Sequence, residues 1–358
     1  MKNRILWIDY ARAIGMVLII VGHSLGQKTY TLGGSMVFMV NVSIFFVISG
    51  YLFKPRKFFF QLRKLFNNLL LPYIFTSVIF AIVSFVVNHG AGMHFFQSQG
   101  AVRDVVWSSF WGLGTNSKII FLDRNVKAIG AIWFLLALFI SSILFNILYK
   151  LFFKRGRISF VIGGGITLLL SVFGFYIASY GQLPWSMNAA LIGAFFMWFG
   201  LFIKKAKLIE KFPLICAAVG LLLWVYSSSL GYFWLNIAQA DNKFMSLIGG
   251  VSGSIFIMVV CLLLEKVVKK FNLERFFDPL SFFGKFSLII LCVHIIELNS
   301  TIFSRLLSNM FSNALSSTEM IILLIISRIL IVGIVTYIIR YIPIFKQVYV
   351  DRNFPFRQ

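Results

Sequence analysis

Charge is scarce in this sequence. Asp, Glu, Lys and Arg make up 12% of its 358 residues, against about 25% in soluble domains. With 59% hydrophobic residues and a mean hydropathy of +0.91, that shortage excludes a soluble domain and indicates a polytopic membrane protein. Cysteine is scarce as well. Cys216, Cys261 and Cys292 all fall inside apolar runs without metal-ligand spacing, so they are expected as buried small hydrophobes and no disulfide is expected. Only four histidines are present, and no HxxxH pair or Cys/His cluster exists to complete a zinc site, so no metal is expected. A GxSxG elbow is missing, which argues against a serine hydrolase. So are a phosphate loop and a dinucleotide fingerprint. No repeat of about 20–50 residues and no low-complexity tail is visible.

What is present is a succession of apolar runs. Ten are long enough to span a bilayer, at roughly 5–26, 35–53, 66–88, 129–152, 158–180, 186–203, 213–231, 244–267, 284–303 and 318–340. The net charge of +22 invites a nucleic-acid reading, but the basic residues stand in short clusters between the runs, where membrane proteins keep their cytoplasmic anchors. With the amino terminus inside, 24 Lys and Arg are cytoplasmic, 7 lie on the other side and 2 fall within spans. The expected fold is therefore all-α, with about ten transmembrane helices, both termini cytoplasmic, a lipid bilayer as partner and no nucleic acid. The amino-terminal run resembles a secretory signal but lacks a small-x-small cleavage site and contains Asp9 and Arg12, so it is expected to be retained.

That first run carries Asp9, Arg12 and His23. An ionisable group inside a spanning helix costs roughly 2.5–3.5 kcal/mol, so such residues mark functional positions. Arg12 and His23 are eleven apart, close to three whole turns, which puts them on one stripe about 16 Å apart. Asp9 and Arg12, three apart, can pair. Imidazole takes and returns a proton near neutral pH. Taken alone, His23 reads equally well as a satisfied interhelical hydrogen bond; Arg12 on the same stripe favours function. In the ninth run His294 and Glu297 can pair across one face, as a structural pair or as a second acid/base station. Arg328, in the tenth, needs an anionic partner, and Glu297 is nearest in depth. Ser49-Gly50 reads as a close helix crossing. The longest connecting stretch, 89–128, contains Trp107, Trp111 and Asp123, which suit an interfacial aromatic belt or a surface that stacks on a sugar.

Asp9-Tyr-Ala-Arg-Ala-Ile followed by Val21-Gly22-His23-Ser24 resembles the opening of the bacterial acyltransferase-3 family, whose first span carries an arginine and a histidine separated by ten residues. Further matches follow in the family's order: Ser43-Ile-Phe-Phe-Val-Ile-Ser-Gly-Tyr51, Leu71-Pro72-Tyr73, Trp133-Phe134-Leu135, Leu183-Pro184-Trp185, and Phe283-Gly284-Lys-Phe-Ser287 through His294. The likeness covers residue 4 to about 345, leaving 346–358 as a short cytoplasmic tail.

The resemblance implies a multi-pass protein of the bacterial cell membrane that takes an acyl group, most often acetyl, from cytoplasmic acyl-CoA. It passes that group to a hydroxyl of an extracytoplasmic or lipid-linked glycan. Acetyl-CoA is then a donor substrate and no cofactor is permanently bound. His23 matches the family's essential histidine and Arg12 its essential arginine. On this reading Arg12 orients the CoA phosphates while His23 deprotonates the acceptor, and a covalent acyl-imidazole is the alternative. Two departures stand out. The basic residues before Leu71-Pro72-Tyr73 are Arg63 and Lys64, further back than the family's arginines, so they serve either a phosphate or the positive-inside bias. Asn41 stands where relatives often have a histidine. Members with surface-sugar roles sometimes carry a fused soluble domain; with this sequence ending soon after the tenth run, the expectation is that the protein completes transfer itself or hands the group to an envelope-biosynthesis partner. The competing reading is a transporter or flippase of a lipid-linked sugar, with Arg12, His23, Glu297 and Arg328 lining its path. Against it stands the absence of inverted repeats and of matched Gly/Pro-broken helices.

Overall fold

Runs of Ile, Leu, Phe and Val leave a backbone no water to bond in a bilayer, and helices are the solution that pairs every amide within its own segment. A computed structural model describes residues 5–88, 102–122, 124–153, 156–298 and 315–352, and it is 79% helical with almost no sheet. Helix α1 (Leu6–Gly22) leads through a short turn to α2 (Leu32–Val40) and α3 (Ser43–Tyr51). Helix α4 (Phe58–Leu65) passes through a π-turn, Phe66–Leu70, into α5 (Leu71–Asn88), and α6 (Val102–Trp111) follows. Then come α7 (Trp133–Leu148), α8 (Arg157–Ala178), α9 (Met187–Ala206), the short α10 (Leu208–Lys211) and α11 (Pro213–Ser229). The chain closes with α12 (Lys243–Lys270), α13 (Asp278–Lys285), α14 (Ser287–Leu298) and α15 (Ser317–Ile339). Two antiparallel ribbons sit in connections: β1 (Ser117–Lys118) with β2 (Asn125–Val126), and β3 (Phe233–Trp234) with β4 (Gln239–Ala240).

Among the described residues seven helices are long and apolar enough to cross a membrane, or eight if the pair α13–α14, bent by 80°, counts as one span. Ten segments were expected. The difference lies in α1 and α11, 17 residues each, about 26 Å of helix against a hydrocarbon core of about 30 Å. The bend sits at Phe286, between the two helices of the ninth segment.

Helix α1 lies inside the bundle, packed against α12 and α13 and touching α2, α3, α14 and α15. Its Tyr10, Ala11, Ala13, Met16 and Ile20 are all buried. Gly284 and Gly50 are among the positions where close approach requires glycine. A Cβ on Gly284 would collide with the Asp9 carbonyl, and one on Gly50 with the Met197 carbonyl, so α13 rides on α1 and α3 on α9 at backbone distance. Outer helices turn apolar faces away from the bundle. In α15, Ile322, Ile326, Leu330 and Ile334 are exposed at every fourth position, while Arg328, Val332 and Thr336 are buried on the other side. That polarity is inverted relative to a soluble helix, as lipid requires.

The last described stretch folds back. Val348 and Tyr349 are buried, and the Tyr349 hydroxyl lies 2.8 Å from Thr76 Oγ1 on α5. Residues 346–352, expected as part of a tail, thus pack against the bundle.

Candidate functional site

The site is built on one stripe of α1. Arg12, Met16, Ile19 and His23 recur at the three- and four-residue intervals that share a helix face. Asp9, in the first turn where a carboxylate complements the helix dipole, is buried, with Oδ1 4.0 Å from Arg12 Nη1.

At the Arg12 end the stripe faces a cavity of about 140 Å³ lined by Arg12, Met16 and Ile19. Other helices contribute polar groups to the same wall: Ser49 from α3, Asn68 from the π-turn, Lys285 from α13, Ser287 from α14, and Arg352 from the folded-back end. Three cations therefore meet there, and among the described residues no carboxylate lines the cavity. Burial and the neighbouring Arg12 push the Arg352 guanidinium below its ordinary range. Its Nη1 is 3.5 Å from Asn68 Oδ1, and its Nε donates to the Tyr349 carbonyl at 3.3 Å. Such an arrangement suits an anion. Arginine forks suit phosphate or carboxylate oxygens, and a lysine adds a mobile point charge. The cavity follows the stripe over seven positions, about 10 Å, and ends about one turn short of His23.

At the other end, His23 caps α1 and is exposed. A buried network braces it from behind. Arg328 Nη1 donates to the His23 carbonyl at 2.9 Å and to Ser24 Oγ at 2.8 Å. Ser24 Oγ in turn donates to the Ile20 carbonyl at 2.8 Å. A guanidinium at the C-terminal carbonyls of α1 answers the negative end of the helix dipole. Arg328 Nε also reaches Glu297 Oε1 at 3.2 Å, and Glu297 Oε2 lies 3.2 Å from His294 Nδ1. The His294 ring is fully buried, 5.6 Å from the His23 ring and tilted by 54°. Its Nε2 has no hydrogen-bond partner among the described residues. Glu297 thus bridges Arg328 and His294, and the whole assembly holds the chain at His23.

The other expected residues fall elsewhere. Arg63 and Lys64 are exposed on α4 and do not line the cavity; Asn68 and Leu69, one turn later, do. Trp107 is exposed on α6 with Trp111 5.5 Å away, edge to face. Asp123 lies outside the described residues. Among the described residues no three of His, Cys, Asp and Glu converge as a metal cluster, and Cys216, Cys261 and Cys292 are free and buried. Sequence reasoning passed over Lys285, Ser287, Asn68 and Arg352. Lys285 and Ser287 belong to the Phe283–Ser287 stretch, where a charge beside a glycine at the start of an apolar run was the available signal. Arg352 carried none, because its approach depends on the chain folding back.

A family model described as an acyltransferase domain matches residues 5–341, nearly the whole chain. The chain belongs to the acyltransferase-3 family. As a member it is a multi-pass membrane O-acyltransferase, and the residues around α1 lie within the matched region. No curated protein and no solved structure matches the chain.

Proposed function

We propose that this protein of the bacterial cell membrane moves an acetyl group from acetyl-CoA, bound at the Arg12 end of α1, to a hydroxyl of a glycan presented at the His23 end. The observation that carries this reading is the cationic cavity along the Arg12–Ile19 stripe. It is suited to the phosphates of a CoA thioester, and it lies along the stripe of α1 that ends at the exposed His23. Arg12, Lys285 and Arg352 orient the phosphates, and the apolar walls at Met16, Ile19 and Phe134 accept the uncharged arm of the donor.

In the transfer step His23 removes the proton from the acceptor hydroxyl as its oxygen attacks the thioester carbonyl. A C–O bond forms and the C–S bond breaks. The imidazolium then returns its proton to the departing thiolate, giving ester and free CoA thiol. The Arg328–Glu297–His294 network does not touch the reacting atoms on this reading; it positions His23.

The test is thiol release from acetyl-CoA by the purified protein, given an extract of envelope glycans as acceptor. Acceptor-dependent release by the wild-type protein, lost in His23→Ala, is the expected result. Normal transfer by His23→Ala would refute the assignment of His23, and a wild-type protein that never releases thiol would refute acetyl-CoA as donor.

A further inference from the structure

A second cavity lies at the same end of the bundle as His23. It has a volume of about 410 Å³, within the range of about 300–1,000 Å³ typical of ligand pockets. The β3–β4 ribbon, the start of α12, the end of α8 and the turn after α1 form it, and Tyr30, Tyr232, Trp234, Gln239, Asp241 and Lys243 are among its lining residues. Its walls are aromatic: ring centroids lie 5.7 Å apart for Tyr30 and Tyr232, 6.0 Å for Tyr30 and Trp234, and 5.0 Å for Tyr232 and Trp234. Tyr30 is 70% exposed, so its ring is offered to solvent rather than used in the core. The rim is polar, with Gln239, Asp241 and Lys243 all exposed. Asp241 is set in place by its own backbone: Oδ2 accepts from the Tyr232 amide at 2.7 Å, and its amide donates to the Tyr232 carbonyl at 3.1 Å.

We propose that this cleft binds a pyranose ring of the acceptor, stacked on Tyr30 and Trp234 with its hydroxyls held by Gln239, Asp241 and Lys243. A pyranose has C–H groups on its faces and hydroxyls around its rim. Aromatic faces attract the first, while a carboxylate, an amide and an ammonium supply acceptors and donors for the second. The cleft matches both halves of that pattern. The aromatic group on α6 matches only one. Trp107, Phe110 and Trp111 pack on one another, and the groove of about 830 Å³ that includes Phe110 has no charged side chain in its lining. With only a few hydroxyl side chains in that lining, a sugar there would leave most of its hydroxyls unpaired, a cost that alkyl chains of the bilayer do not incur.

The cleft is also next to the reacting end of α1. Tyr30 follows His23 by seven residues through one turn of 3-10 helix. Phe38 stands between, its ring 5.0 Å from Tyr232, at a point where a Cβ on Gly22 would lie 3.3 Å from it. A glycan anchored at Tyr30 and Trp234 therefore has a neighbouring unit at the level of His23.

This inference rests on the glycan reading above, so its test reads binding without turnover. Purified full-length protein in detergent is titrated with methyl glucopyranoside, methyl galactopyranoside and methyl mannopyranoside, and contact is followed by saturation-transfer NMR. At least one glycoside should bind the wild-type protein. Trp234→Ala should weaken it about threefold to tenfold, and Gln239→Ala, at an exposed position, by about twofold to tenfold. If Trp234→Ala does not fold, Gln239→Ala decides alone. Absence of binding by all three glycosides, or equal affinity in wild type and variants, overturns the proposal. Glycoside binding by a protein that never consumes acetyl-CoA upholds the cleft and overturns acetyl-CoA as the donor instead.

Discussion

The two ends of α1 handle buried charge in opposite ways. Behind His23 the buried charges answer one another: Arg328 meets Glu297 and two oxygens of the α1 terminus, and Glu297 meets His294. At the Arg12 end three cations border a cavity whose described lining contains no carboxylate, and Asp9 stands just behind Arg12. A charge in a membrane interior must be compensated. Where compensation is internal the result is a fixed scaffold. Where cations border an open space whose described lining holds no carboxylate, the arrangement suits an anionic ligand. One helix thus carries a rigid station and a receptive one, separated by about 16 Å.

The most severe way to break this contrast is at the exposed imidazole. His23→Ala should lower acceptor-dependent acetyl-CoA consumption by about 100- to 10,000-fold with no change in folding, since His23 uses its carbonyl, not its ring, to bond Arg328. A loss of a few-fold would assign the chemistry elsewhere.

Next in size is the effect of unbalancing the scaffold. Glu297→Ala leaves Arg328 buried without its carboxylate and should cost about 3–5 kcal/mol of stability, read as a lowered unfolding midpoint in detergent. Lys285→Ala, at an exposed side chain, should leave that midpoint nearly unchanged. Equal midpoints for the two variants would erase the distinction between the ends.

The receptive end predicts a change in binding instead. Arg12→Ala should raise the KM for acetyl-CoA by about 10- to 100-fold, the range expected for hydrogen bonds to a charged group, with a smaller change in kcat. A drop confined to kcat would move Arg12 out of donor binding.

The smallest effect sharpens the boundary of the donor site. Replacing Arg63 and Lys64 together by Ala should change the donor KM by less than about twofold, since exposed charges contribute little. A shift as large as that of Arg12→Ala would extend the site onto α4.

Much of this arrangement was legible from spacing. Arg12 and His23 share a stripe because eleven residues make nearly three turns. His294 and Glu297 pair because three residues make most of one, and matched depth in two apolar runs was enough to join Glu297 to Arg328. Other parts were hidden for physical reasons. The 80° bend at Phe286 breaks a run that composition leaves continuous. The hairpin at 233–240 is two residues deep on each strand, too short to show alternation. Arg352 reaches Arg12 only because Val348 and Tyr349 are buried against the bundle.

Hydropathy and helical periodicity were thus sufficient to establish a helical membrane protein and the face of α1 that carries its ionisable groups, since both are properties of short stretches of chain. Which groups gather around that face depended on packing between segments far apart in sequence. Gly284 lets α13 settle on Asp9, bringing Lys285 to Arg12, and Arg328 arrives at His23 across 305 positions. No local pattern encodes such a meeting, because it follows from how surfaces of several helices fill space together.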